Sequence, residues 1–237
     1  MALSGTTAFD LDLTEIVEEA FERAGGEMRT GYDLRTARRS LNLLFADWAN
    51  RGINMWTFEQ GTIPLVQGTA TYNLPADTVD LMEHVIRTGP GNVATQSDLT
   101  ITRISVSTYA TIPNKLQQAR PIQVWIERRQ EIPRITVWPV PDQGTLAQPY
   151  YTFVYWRLKR IDDAGNGVNT MDVPFRFLPC MVAGLAYYLA LKIPNGTSRI
   201  DVLKMQYDEA WDLASTEDRE KAAVRFVPRQ MFIGGGT

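Results

Sequence analysis

The chain has 237 residues, 44% of them hydrophobic, which suits one large domain or two closely joined ones with a sizeable core. Its net charge of −3 gives no overall basic signal for nucleic-acid binding. A single cysteine excludes an internal disulfide framework, and a single histidine leaves histidine-based catalysis or metal binding with one candidate. No uninterrupted apolar run approaches 18 residues and the N-terminus lacks the pattern of a secretion signal, so we expect a protein made in the cytoplasm, without a membrane span.

Two amphipathic helices are predicted at the start of the chain. Asp12 and Glu15 have the spacing of a capping box, and Gly25 follows the apolar stripe that begins after them. A second helix is predicted over residues 33–50, because its apolar residues recur every three or four positions. Gly52 stands where such a helix commonly ends.

The second helix also carries three arginines, Arg35, Arg38 and Arg39, away from its apolar stripe. Helix positions three and four apart lie side by side, so these residues form one arginine face. This face is either an ordinary solvated surface or a contact with DNA or another partner. The sequence leaves both interpretations open.

The middle of the chain is predicted to be an antiparallel β region. Apolar and polar residues alternate in successive short runs, and prolines fall between the runs. A turn at residues 66–69 separates the first two runs. The predicted strands cover residues 56–65, 70–74, 82–87, 99–104, 123–128, 134–138 and 150–159.

The last of these strands contains residues 150–156, which are large and apolar at positions on both faces. Strands of this kind are buried on both sides of their sheet. We therefore expect this strand to be covered twice, by the chain's own helices or by a neighbouring copy.

Helices return after the strands. One is predicted over residues 174–193, where Pro179 is compatible only with the first turn. Ser198 and Asp201 have the spacing of a second capping box, and the apolar stripe that follows predicts a long helix to about residue 223.

Four amphipathic helices must bury their apolar faces against one another, so we predict that both ends of the chain pack into one helical bundle. The fold class is then α+β: a bundle from N- and C-terminal helices, an inserted antiparallel β region and an extended C-terminal tail. The predicted boundaries are residues 1–53 and 166–223 for the bundle, 54–165 for the β insertion and 224–237 for the tail.

The C-terminal tail is too short and too glycine-rich to fold alone. Its anchor segment, residues 225–233, nevertheless holds five large apolar side chains and two arginines. We expect these residues to dock on a neighbouring copy or another protein, and the alternative is that the tail folds back on its own helices. The predicted partner-binding residues are Arg225, Phe226, Val227, Arg229, Met231, Phe232 and Ile233.

The candidate catalytic and metal-binding residues have simpler structural interpretations. His84 and Glu83 are neighbours on a predicted strand and so point to opposite faces. Cys180 lies on an apolar helix, where a small buried side chain is expected. The acidic loop at residues 162–167 lacks the spaced ligands of a calcium loop, and the glycines at 234–236 have no helix after them to bind phosphate. We expect no catalytic residues, metal or cofactor.

The order of the elements resembles the head-to-tail adaptor family of tailed bacteriophages, which is related to tail tubular protein A and to packaged-DNA stabilisation proteins. The resemblance covers nearly the whole chain. The residues that carry it are 12–16, 43–56, 68–75, 138–142 and 173–190.

This resemblance implies a structural protein of the virion that forms a ring, commonly of twelve copies, below the portal. The ring would continue the DNA channel and link the head to a tail or nozzle protein, with double-stranded DNA passing through without sequence-specific binding. The anchor segment would then dock on the portal or on a neighbouring subunit. The alternatives are a tail-tube or tail-terminator subunit, for which strands would dominate the core, and a cell-wall hydrolase.

Overall fold

The computed structural model describes Phe9 and residues 11–29, 31–51, 55–166, 168–194 and 196–219. The helices in this part of the chain are α1 (Leu13–Ala24), α2 (Gly31–Arg51), α3 (Val106–Ala110), α4 (Leu178–Ala190) and α5 (Ile200–Glu217). The strands are β1 (Phe58–Leu65), β2 (Thr71–Asn73), β3 (Thr78–Thr88), β4 (Ser97–Thr100), β5 (Thr102–Ile104), β6 (Gln123–Glu127), β7 (Arg134–Trp138) and β8 (Tyr151–Lys159).

Helix α1 begins and ends as its sequence predicts. The Asp12 carboxylate accepts a hydrogen bond from the Glu15 backbone N–H at 2.8 Å, and the Glu15 carboxylate accepts one from the Asp12 N–H at 3.1 Å. This reciprocal pair satisfies two N–H groups that the helix leaves without partners. At the other end, Gly25 has a φ of 86°, a conformation that favours glycine.

The position of Pro179 is also as predicted, although α4 covers Leu178–Ala190 and not residues 174–193, whereas the start of α5 is not as predicted. Pro179 lies in the first turn of α4, directly after a 3₁₀ turn. The predicted capping box of Ser198 and Asp201 is wrong, because another 3₁₀ turn, Thr197–Arg199, leads straight into α5. A capping side chain needs an extended backbone, and Arg199 before α5 is already helical. Helix α5 ends at Glu217, earlier than predicted.

The N- and C-terminal helices form one bundle, as predicted. Helix α4 is buried on nearly all sides and contacts α1, α2 and α5. An aromatic cluster lies at the centre of the shared core, where the ring of Trp48 is 5.7 Å from Phe45, 5.6 Å from Phe177 and 5.5 Å from Trp211. Because α2 supplies two of these rings and the C-terminal half the other two, neither helix pair has a complete core alone.

The β region consists of two four-stranded sheets. Their strand orders are β1-β8-β3-β4 and β2-β7-β6-β5. A second core lies between the sheets, with Leu65 and Phe153 contributed by one and Val124 and Ile135 by the other. The prediction of antiparallel pairing is correct except for β5 and β6, which are parallel.

Two predicted features prove to be places where the chain changes sheets. The turn at residues 66–69 is present, with the Thr69 N–H donating to the Val66 carbonyl at 3.1 Å. It connects β1 and β2 across the two sheets and does not form a hairpin. The predicted strand 99–104 is interrupted at Ile101, which packs against the inter-sheet core, so that β4 and β5 lie in different sheets.

Strand β8 is deeply buried, but its cover differs from the prediction. Tyr151, Phe153 and Tyr155 face the second sheet, so neither the helices nor a neighbouring copy are needed to cover this face. On the opposite face Val154 is fully buried, and its cross-strand neighbours are Thr62 and Val85. The sequence pattern indicated two-sided burial without indicating that a second sheet existed.

Polar contacts join the β region to the bundle. Trp56 was predicted to begin a strand, but it lies in a 3₁₀ turn and its ring is 4.5 Å from that of Phe177 in the bundle. Its indole N–H donates to the Asp172 carbonyl at 3.2 Å, and the carboxylate of Asp172 pairs with Lys159 at 2.8 Å. The ends of β1 and β8 are thereby fixed at the same edge of the bundle.

Candidate functional site

The two residues with potential nucleophilic or acid–base chemistry are held in apolar surroundings. Cys180 is fully buried in α4, and burial raises the pKa of its thiol to about 12, so little reactive thiolate forms at neutral pH. The ring of His84 stacks on Phe153 at 5.9 Å, and burial lowers its pKa. In the described part of the chain neither imidazole nitrogen has a hydrogen-bonding partner. This arrangement supports structural roles for both residues.

The acidic loop after β8 is held by its own local contacts. The Asp163 carboxylate accepts a hydrogen bond from the Gly165 N–H at 2.9 Å, and the Asn42 side chain accepts one from the Ala164 N–H at 2.9 Å. Over the described ranges, no group of three or more histidines, cysteines, aspartates and glutamates is placed to hold a metal ion. Nor does any helix there have the length and apolar character to cross a membrane. The glycines at residues 234–236 lie outside the residues that the structure describes.

Arg157 is a buried, ion-paired residue of the β region that the sequence did not indicate. It is 7% exposed, and its guanidinium donates to Glu59 at 2.5 Å and to Asp77 at 2.6 Å. The hydrogen bond from Arg157 lowers the pKa of Asp77. Since Glu59 belongs to β1 and Asp77 precedes β3, this arginine on β8 ties together three strands next to the bundle.

The arginine face of α2 is partly open to solvent. Arg35, Arg38 and Arg39 border a depression of about 480 Å³ together with Tyr32. Within the described ranges none of the three guanidinium groups forms an ion pair with a carboxylate. The face therefore remains available to an anionic partner, as one of the two sequence-based interpretations requires.

An apolar groove runs between α1 and the start of α4; we call it the α1/α4 groove. Its volume is about 850 Å³. Its floor contains Leu178 and Val182, which are nearly buried. Its borders contain Leu11 and two large exposed side chains, Phe9 and Phe175, which are 69% and 73% exposed. Two exposed phenylalanines around one groove are a feature of protein-binding surfaces.

All seven predicted partner-binding residues of the anchor segment lie outside the described residues, so the structure does not place them. It does place the point from which the tail departs. The backbone carbonyl of Glu217, the last residue of α5, accepts a hydrogen bond from Arg176 at 3.1 Å. Arg176 directly follows Phe175, so the end of α5 lies beside the α1/α4 groove.

The α1/α4 groove was not predicted from the sequence. A signal was present in Phe175, a large apolar residue directly before the predicted start of α4 and flanked by Pro174 and Arg176. It was not decisive, because only the packing of α1 against α4 brings Phe9 and Leu11 near that position. Arg157 was missed for a similar reason: its two carboxylate partners are 98 and 80 residues away in sequence.

Comparison with known proteins is consistent with a role in assembly. No curated protein matches this chain. A family model described as "SU10 adaptor protein" matches residues 11–229, which include all the helices and strands described above. The chain therefore belongs to the SU10 adaptor protein family and is a structural adaptor protein of a phage virion.

Proposed function

We propose that this protein forms a homo-oligomeric ring, of twelve copies, between the portal and the tail of a bacteriophage. The family match over residues 11–229 is the observation that carries the proposal. In this role the ring continues the channel through which double-stranded DNA passes, and it contacts the portal on one side and a tail or nozzle protein on the other. The protein is made in the host cytoplasm, has no catalytic activity, and becomes part of the virion.

The fold supports this proposal over a tail-tube or tail-terminator subunit. A sheet-based tube would be expected to have its main core in the strands. Here both ends of the chain build the larger core, and α4 lies in the middle of it. The bundle has one hydrophobic core, and the two sheets have a second core between them.

The anchor segment is proposed to attach the ring to the portal or to a neighbouring subunit. Each large apolar side chain contributes about 1.5–3 kcal/mol when fully buried, whereas ordering the backbone costs about 1–2 kcal/mol per residue. Five anchors in nine residues therefore gain little in isolation and more in a prepared site. Repetition around a ring multiplies the effect, because each docked copy increases the effective concentration of the next.

Electron microscopy of the purified protein, with and without the portal protein of the same phage, tests the ring. We expect closed rings that stack coaxially on the portal. Random aggregates with the portal present, or long tubes without it, would contradict the proposal, and tubes would favour the tail-tube alternative. A turbidity assay on cell-wall material checks the hydrolase alternative, and we expect no clearing at any pH.

Deletion of residues 225–237 tests the tail. The truncated protein is expected to stay folded with the helical content of the full chain, because no described core residue is removed. It is expected to lose attachment to portal-bearing heads. A matched control replaces only the glycines at 234–236 by serine, which leaves all five anchors in place. Normal sealing of DNA-filled heads by the truncated protein would refute the docking role.

A further inference from the structure

The α1/α4 groove exposes apolar surface that the described residues do not cover. Leu178 and Val182 at its floor are continuous with the bundle core, whereas Phe9 and Phe175 at its borders are mostly exposed. A groove of about 850 Å³ has room for several side chains. An occupant with large apolar residues would therefore extend the core of the bundle outward.

Two terminal segments of the chain lie outside the described residues and could supply this occupant. Residues 1–8 contain only two large apolar side chains, Met1 and Leu3. The anchor segment, residues 225–233, contains five. Because buried apolar area is the main source of stabilisation, the anchor segment is the better match to the groove.

The anchor segment also starts close enough to reach the groove of its own chain. Helix α5 ends where the Glu217 carbonyl bonds to Arg176, one residue from Phe175 at the groove border. The seven residue-to-residue steps from Arg219 to Phe226 span roughly 23 Å when extended. The part of the groove along α1, from Glu15 to Arg23, is about 12 Å long at the rise of an α-helix.

Charge is complementary as well. Helix α1 carries four glutamates and one arginine; Glu15, Glu19 and Arg23 border the groove, and Arg23 pairs with Glu19 at 2.7 Å, so the border keeps a net negative charge. The anchor segment carries Arg225 and Arg229 and no acidic residue. Exposed pairs contribute little to affinity but favour one orientation and one partner over others.

The outer face of α5 is the competing surface, because it is acidic and exposes Met205 and Leu213. The exposed face of a single helix is a convex surface, and such a surface packs best against a second helix. Pro228 and the glycines at 234–236 disfavour a helix in the tail. The groove has two walls and accepts an irregular segment, so it is the better site.

We propose that, in the free subunit, the α1/α4 groove binds residues 225–233 of the same chain. Attachment through a tether keeps the segment at an effective concentration on the order of millimolar, so binding within the chain precedes binding to any dilute partner. The groove thus covers the apolar anchors until an assembly partner competes for them. This inference does not depend on the ring or on the portal, because it concerns the isolated protein.

Disulfide trapping in the full-length protein tests the contact. In the variant Phe175→Cys/Met231→Cys, mild oxidation with copper phenanthroline in air is expected to give a disulfide within one chain, seen as a faster-migrating monomer on a non-reducing gel. The matched control, Leu213→Cys/Met231→Cys, places the first cysteine on the outer face of α5 and is expected to react at least ten times more slowly. The native Cys180 is fully buried in both variants.

A mixture of the two single variants, Phe175→Cys and Met231→Cys, separates contacts within a chain from contacts between chains. We expect no crosslinked dimer. Equal crosslinking of the groove and α5 pairs, or crosslinking only in mixed dimers, would overturn the proposal.

Protection from trypsin gives a second measurement: Phe175→Glu should increase cleavage after Arg225 and Arg229 about tenfold, whereas Leu213→Glu should not. Unchanged cleavage in Phe175→Glu would also overturn it, and neither readout involves the portal.

Discussion

The residue that connects the two ends of the chain most directly is Trp48. Its indole N–H donates to the Tyr207 hydroxyl at 3.0 Å, and that hydroxyl donates to Asp47 at 3.3 Å. The Arg51 guanidinium lies over the Tyr207 ring, 4.8 Å from its centroid. Burial raises the pKa of Tyr207, so its hydroxyl remains protonated and available as a donor. One residue therefore combines aromatic packing with a buried hydrogen-bond network.

Trp48→Ala is expected to destabilise the protein by about 3–5 kcal/mol, because it leaves a cavity in the bundle and removes a partner of Tyr207. Trp211→Ala is expected at the lower end of the same range, since Trp211 lies at the edge of the cluster. Urea unfolding followed by circular dichroism measures both. The control, Leu43→Ala, changes an exposed residue of the same helix and should cost less than about 0.5 kcal/mol. A loss below 1 kcal/mol for Trp48→Ala would contradict a bundle shared by both ends.

His84 is expected to make stability depend on pH below the usual histidine pKa of about 6.5. Burial lowers its pKa in the folded state, with a smaller contribution from Arg103 and an opposing one from Glu83. The unfolded chain then binds a proton that the folded chain does not, so stability is complete above the usual histidine pKa and falls as the pH decreases below it. Urea midpoints at pH 7, 6 and 5 should show this decline. The variant His84→Phe keeps an aromatic ring against Phe153 and should lose most of this dependence of stability on pH. If the urea midpoints of the variant and of the unmodified protein fall equally with pH, His84 is not the group responsible.

At the scale of elements, the close approach of three helices depends on Gly184. A Cβ atom at this position would lie 2.9 Å from both δ-carbons of Leu44 and from the Tyr207 ring. At this position α4 can approach α2 and α5 this closely only because it has no side chain. Its other positions are buried on nearly all sides, as expected for a central helix.

Gly184→Ala is expected to destabilise the protein by about 1–3 kcal/mol through overpacking, although alanine is the better helix former. The matched control is Gly31→Ala in the first turn of α2, where an added Cβ meets nothing within 4 Å. Removing this glycine should be neutral or slightly stabilising. Thermal unfolding of the two variants measures the difference. If both changes raise the melting temperature, the helices are not in close contact at Gly184.

The elements also show which parts of this fold follow from sequence. Local signals were sufficient for the capping box of α1, the position of Pro179 in α4, and β7, whose observed bounds match the predicted residues 134–138. Non-local features were not predictable. The division of residues 99–104 between two sheets depends on which strands β4 and β5 pair with, and those partners are Val85 to Thr88 and Gln123 to Trp125.

The same distinction applies to the candidate sites. The anchor segment was recognisable because five large apolar residues occur together without a helical or strand pattern. The α1/α4 groove was not recognisable, since Phe9 and Phe175 are 166 positions apart and meet only through helix packing. Composition identified a segment rich in large apolar residues, whereas the groove proposed to bind it exists only in the folded protein.

At the scale of the whole molecule, the net charge and the arginine face lead to different expectations about how strongly the protein binds DNA. Phosphate contacts from many copies would hold DNA tightly and oppose its passage, because each neutralised phosphate strengthens binding and steepens its salt dependence. The chain as a whole has a net charge of −3, yet Arg35, Arg38 and Arg39 lack acidic partners among the described residues. The two facts are compatible if the arginine face meets a protein partner and not the channel.

We therefore expect the purified protein to bind double-stranded DNA weakly, with a Kd of roughly 1 µM or higher at physiological salt, the range of non-specific binding. Fluorescence anisotropy with a 30-base-pair duplex, repeated at several salt concentrations and with an unrelated sequence, measures affinity, salt slope and specificity together. Replacing Arg35, Arg38 and Arg39 by alanine should leave this weak binding unchanged, and a Lys204→Ala variant on the far side of α5 serves as a control for a lost positive charge. Nanomolar binding that falls steeply with salt, and that the triple replacement abolishes, would instead place the arginine face against DNA. The channel would then bind its DNA tightly, and the surface that lines the channel would be basic although the chain as a whole is weakly acidic.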